Sequence, residues 1–125
     1  MTPSPRTVIE RYNFEFWNER RFELADELIA DEMVRNDPDS RTVLTRAQAR
    51  ERAEKLWETV RHVRFRLLHI IAEGELCTIV YQADMVRHDG SADAIASIEV
   101  FRVVDGQIVE LWNTTHQHGH WPESP

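Results

Sequence analysis

The sequence predicts an α+β fold in which three N-terminal helices pack on a curved antiparallel sheet of four to five strands. Three observations predict it. Apolar residues recur at helical spacing up to Val60, β-branched and aromatic residues take over beyond it, and Glu73-Gly74, Asp89-Gly90 and Asp105-Gly106 fall at hairpin spacing.

Ser4 followed by Pro5 supplies an N-cap and a proline at the first helical position, and Ile9, Tyr12 and Phe16 carry a first helix up to Trp17. Past the polar break Asn18 to Arg21, the residues Phe22, Ala25, Leu28 and Ile29 make a short second helix that ends before Met33. The two form a helical hairpin. Residues 35–40 are dense in turn formers, and Pro38 forces Asp37 out of the helical region onto extended or turning backbone. Thr45 with Gln48 reads as a capping box, and behind it Ala49, Ala53, Leu56, Trp57 and Val60 hold one face of a third helix. Four long strands follow, near residues 62–72, 75–88, 92–104 and 107–118. Such a meander has one apolar face to cover, and three amphipathic helices cover part of it while leaving a pocket.

At 125 residues the chain reads as one domain, 1–125, long enough to bury about two thirds of its unfolded surface. The net charge of −7 comes from 22 acidic and 15 basic side chains spread along the chain, which disfavours nucleic acid as a partner. No apolar run approaches the ~18 residues that cross a bilayer, and Met1 to Arg6 lack the apolar core of a secretion signal. A cytoplasmic protein without membrane contact is expected. Cys77, alone within an apolar stretch, reads as core packing.

The run from Ile98 to Trp112 passes through Phe101-Arg102, turns at Asp105-Gly106 and returns as Gln107-Ile108-Val109-Glu110-Leu111-Trp112. It resembles the closing hairpin of SnoaL-like proteins. Val34 to Pro38 is similar to the Asp-Pro element after the second helix of ketosteroid isomerases, and Arg11-Tyr12 to part of their first helix. On these residues the chain resembles the SnoaL-like and ketosteroid isomerase-like members of the nuclear transport factor 2-like superfamily. Three helices followed by a long-stranded meander is also that superfamily's plan. The resemblance implies a cone-shaped, cystatin-like α+β barrel, a homodimer paired through the free face of the sheet, no cofactor and no metal.

Strand alternation places Ile95, Ser97, Glu99, Phe101 and Val103 on one face. A carboxyl among apolar side chains loses solvation, so its pKa rises and it can hold or donate a proton; ketosteroid isomerase is itself the standard example of the effect. Glu99 matches that acid's strand position, one methylene longer, and a salt bridge to Arg64 or Arg66 is its structural alternative. Asp37 matches the isomerases' general base, with a local turn cap as the alternative. Tyr12 matches their oxyanion donor on the first helix, with Asn13 or a core tyrosine as alternatives. His88 near the end of the second strand, together with Glu99, resembles the acid/base pair of SnoaL-like cyclases; an exposed turn residue is the plain reading. The resemblance turns Trp112, Thr114 and His116 towards the pocket, which Trp17, Trp57 and Phe101 also line. Limonene epoxide hydrolases need an Asp, an Arg-x-Asp and a Tyr where this chain has Thr114, Ser97-x-Glu99 and Val34, which disfavours their mechanism.

His69, in phase with Phe65, Leu67 and Ile71, reads as a core histidine. His116, His118 and His120 alternate, about 6–7 Å apart on one face of an extended strand. The spacings usual for structural metal sites are absent and Gly119 breaks the strand, so a tail packing with Trp121 is expected. Together these residues lead to a SnoaL-like isomerase or cyclase acting without cofactor on a small apolar carbonyl compound. The alternative is a non-catalytic ligand-binding or dimerisation module of the same fold.

Overall fold

The computed structural model describes residues 2–123. Ser4 caps α1 (Pro5–Arg11), its hydroxyl accepting from the Thr7 N–H at 3.2 Å, with Pro5 at the first position. The helix then widens. Tyr12–Trp17 form a π-helical turn, closed by the Asn18 N–H donating to the Asn13 carbonyl five residues back at 3.1 Å. Buried Asn13 turns its side-chain amide onto the Ile9 carbonyl at 2.9 Å.

The second helix is shorter than its periodicity predicts. A 3-10 turn at Phe22–Leu24 and one α-turn, α2 (Ala25–Leu28), lead directly into β1 (Ile29–Asp37). Residues 35–40 are the tip of a hairpin, with Asp37 opposite Ser40 and Asp39 at φ 62°, and β2 (Ser40–Thr45) runs back. Both halves of the Thr45–Gln48 capping box form, at 3.1 and 2.9 Å, and start α3 (Arg46–Thr59). Arg46 Nε donates to the Ile29 carbonyl at 2.7 Å, which ties α3 to the start of β1.

The meander consists of β3 (His62–Glu73), β4 (Leu76–Val86), β5 (Ala92–Val104) and β6 (Gln107–Asn113). With β1, β2 and the two-residue β7 (Gln117–His118) the sheet has seven strands, more than the four to five expected. Its order is β2-β1-β6-β5-β4-β3, with β7 on β5. β1 pairs with β6 in parallel, so the sheet is mixed; it is curved and its two end strands, β2 and β3, do not meet. The missing strands have a simple cause. β1 buries only Ile29 and Met33, and besides adjacent β2 its partner is β6, more than seventy residues away, so no local alternation announces it.

Two further expectations change. The last strand stops at Asn113 instead of 118, and a bulge between Leu67 and His69 reverses the phase of β3. His69 is therefore exposed, not a core histidine. The core lies between the helices and the inner face of the sheet, where Ile9, Phe16, Ile79, Phe101, Ile108 and Cys77 are fully buried. Among the described residues, no helix is long and apolar enough to cross a membrane.

Candidate active site

Between the helices and the inner sheet face lies a cavity of about 420 Å³. Tyr12, Asn13 and Trp17 close it on one side, Arg52, Lys55 and Leu56 of α3 on another, and Phe65, Tyr81, Glu99, Leu111 and Asn113 form its floor. Met33 and Arg35 enter from β1 and His116 from the chain beyond β6. The π-helical turn helps to build it. Residues five apart diverge by about 140° on an α-helix of 3.6 residues per turn, whereas an i→i+5 turn brings them back towards one side. Tyr12 and Trp17 consequently both face the cavity, their rings edge to face at 6.4 Å.

Glu99 is half-buried on the inner face of β5, paired in register with Ile79 of β4 and Asn113 of β6. Its carboxylate accepts from Asn113 Nδ2 at 2.8 Å, and Asn113 Oδ1 in turn accepts from the Ser97 hydroxyl at 3.1 Å. Arg64 and Arg66 do not reach it; Arg66 pairs with Asp84 instead, at 2.8 Å. Burial pushes the Glu99 carboxyl up to about 7, against the opposing pull of Arg35 and the Asn113 hydrogen bond. A carboxyl so placed is divided between its two protonation states near neutrality. Burial likewise pushes the Tyr12 phenol up to about 12 and the Tyr81 phenol higher still, and the neighbouring Glu99 charge adds to both. At neutral pH these phenols keep their protons and serve as hydrogen-bond donors.

The other expected residues scatter. Asp37 does not line the cavity; it lies in a shallow groove beside it and holds Arg35 by two contacts, Nε to Oδ2 at 3.2 Å and Nη2 to Oδ1 at 3.4 Å. Being at i and i+2 on β1, the two side chains share a face, which makes the pairing local. His88 is exposed in the β4–β5 turn, its Nε2 2.7 Å from the Glu58 carbonyl, away from the cavity and from Glu99. Trp112 and Thr114 face outwards: Leu111 and Asn113 take the inner positions of β6, and the 39% exposed Trp112 sits in the outer groove with Asn36, Asp37 and Ile98. Phe101 is a core residue beneath Tyr12, with ring centroids 5.7 Å apart. Trp57 braces the cavity wall from behind, donating Nε1–H to the Trp17 carbonyl at 2.9 Å.

The C-terminal histidines diverge as well. His116 is at the cavity, His118 lies 3.1 Å from Asp93 and His120 3.5 Å from Asp84. No group of three or more metal-ligating side chains occurs among the described residues. The residues that sequence reading missed are Tyr81, Asn113, Arg35 and Arg52. Alternation could have found Tyr81, in phase with Cys77 and Ile79; the others needed the strand register and the helix packing.

A curved open sheet, a helical cover and a carboxyl facing two phenols in one cavity define a cone-shaped α+β domain built around a small-molecule-sized space. Residues 9–111 match the model of the SnoaL-like domain, and the chain belongs to that family. No curated protein matches it in sequence. Among solved structures it is similar to a SnoaL-like polyketide cyclase from Agrobacterium tumefaciens, with a TM-score of 0.79 and 11% identity over 92% of each chain. IdmH from Streptomyces antibioticus gives a TM-score of 0.77 at 20% identity, covering 89% of this chain and 91% of that one. An LEH-like epoxide hydrolase from M. tuberculosis gives 0.74 at 16% identity, covering 90% and 79%. At such identities the likeness concerns the fold.

Proposed function

We propose that the chain is an isomerase or cyclase that works without cofactor, moving a proton next to the carbonyl of a small, largely apolar compound, with Glu99 as its acid/base. The solved structures it resembles include a cyclase, and one observation here carries the reading: among the described residues the Glu99 carboxyl hydrogen-bonds only to Asn113, and it faces Tyr12 and Tyr81 across the same cavity. Ionised Glu99 takes the proton from the carbon beside the carbonyl. The C–H electron pair becomes the C=C bond of an enolate, and the oxyanion accepts hydrogen bonds from the two phenols. The proton then returns from Glu99 either to the far carbon of an adjoining C=C bond that extends the enolate, an isomerisation, or, after the enolate carbon has attacked a second carbonyl and closed a ring, to the alkoxide so formed. A base near neutral pKa suits this, because it is ionised in a useful fraction and still returns the proton readily. Asp37, tied to Arg35, fixes the guanidinium and takes no part in the transfer.

A carboxyl titration by NMR tests the reading, with Glu99 assigned through a Glu99→Gln variant. A midpoint near 7 is expected; the ordinary value of 4.5 would favour the non-catalytic ligand-binding module. The same shift has a stability signature. Between pH 4.5 and 7 the folded state holds more protons at Glu99 than the unfolded chain, so this group's contribution to stability falls as pH rises through that window. Comparing urea melts of the native protein and the Glu99→Gln variant across it isolates the slope.

We also propose a homodimer formed through the outer sheet face, where Ile98 and Trp112 are 48% and 39% exposed beside half-buried Val80 and Val100. Sedimentation should give twice the 14.7 kDa chain mass, and Ile98→Lys should return it to the monomer. A monomeric native protein would remove the dimer from the reading.

A further inference from the structure

Every charged side chain of the cavity has a partner except one. Arg35 is held by Asp37, and Lys55 by Glu51 at 2.9 Å, while Glu99 meets Asn113. Arg52 has no hydrogen-bonding or ionic partner among the described residues. The helix itself explains why. On α3 the ladder pairs Arg50 with Glu54 and Glu51 with Lys55 at i, i+4, but the positions three and four from Arg52 are Gln48, Ala49, Lys55 and Leu56, none of them acidic. Ala49, Arg52, Lys55, Leu56 and Thr59 form one stripe of α3 along the cavity, so the exposed Arg52 stands at the cavity's rim. Its charge is felt by both Glu99 and Tyr12. In a chain of net charge −7, a cation left free at the entrance to a mostly apolar space is a site for an anion.

We infer that the substrate carries a carboxylate, seated on Arg52 at the cavity mouth, with its reacting carbonyl lying deeper against Glu99 and the phenols. This rests on the acid/base reading for the position of the carbonyl, though not for the anion site. One unpaired guanidinium balances one negative charge and matches a planar carboxylate with two parallel N–H donors, whereas a phosphate monoester brings nearly two charges. Binding at a fixed point would thus orient the apolar body so that one carbon alone meets the base.

The test uses 2-naphthoate and 2-naphthamide, alike in shape and differing in charge, titrated calorimetrically into the native protein and two variants. The native protein should bind the acid at least tenfold more tightly than the amide. Arg52→Gln, at an exposed helix position where Gln is well tolerated, should lose most of that preference. Arg64→Gln, an equal change of net charge on the outer face of β3, should keep it. Equal affinities in the native protein, no binding of either compound, or a preference unchanged in Arg52→Gln would overturn the inference. The Glu99 titration separates the two readings: acid preference with an ordinary Glu99 pKa sustains the anion site and sinks the acid/base mechanism, and the opposite pair of results does the reverse.

Discussion

Glu99→Gln lowers kcat by about 10²- to 10⁴-fold on any carbonyl compound that the protein turns over, the contribution of one positioned acid/base. KM changes little, because the amide fills the same space and still accepts from Asn113 through its oxygen. The fold survives the change. Above pH 7 the variant is at least as stable as the native protein, since it no longer buries an ionised carboxyl at a site where burial favours the neutral form. Steady-state kinetics with a thermal melt on the same samples checks both halves. A variant that kept its turnover would place the chemistry on another group and remove Glu99 from the mechanism.

Phe16→Ala removes about 3–5 kcal/mol of stability, a large share of the roughly 5–15 kcal/mol that a domain commands. Phe16 is fully buried and stands at the centre of an aromatic cluster, stacked on Tyr12 at 5.3 Å and edge to face with Trp17 at 6.0 Å and Phe22 at 5.7 Å. Deleting the ring leaves a cavity that three neighbouring rings cannot close without leaving their own contacts. Tyr12 and Trp17 line the cavity, so this loss also reaches the candidate site. Urea unfolding should show the full drop, and Phe16→Leu, which keeps most of the volume, a much smaller one. A loss below about 1 kcal/mol for the alanine variant would mean that the cluster relaxes freely and does not set the position of Tyr12.

Legibility in the sequence followed the range of the interactions. The third helix was readable because both halves of its cap, Thr45 and Gln48, and its buried face lie within one local pattern. The three Gly-containing turns were readable for a related reason: Gly74, Gly90 and Gly106 all take positive φ, which a hairpin turn requires and glycine permits. The inward face of β5 was also visible, because alternation assigned Glu99 to the same side as Ser97 and Phe101 before any neighbour was known. By contrast, β1 looked like the end of a helix and a loop, since its strand character depends on pairing with β2 on one side and in parallel with distant β6 on the other. Helix one looked regular because the π-helical turn at Asn13 leaves the apolar spacing almost unchanged.

Trp112 shows the same division inside the site. Its position in a family-like closing hairpin was correct and its facing was not, because the strand register gives Leu111 and Asn113 the inner positions. The chain's own order of residues thus set the architecture, the hairpins and the identity of the carboxyl, all of which depend on short-range backbone preference and periodicity. Tertiary structure decided that Glu99 meets Asn113, that Tyr81 joins Tyr12 across from it, that Asp37 serves Arg35 and that Arg52 has no partner among the described residues. Those facts depend on which strands pair and how much water they exclude, and both are settled only when distant segments come together.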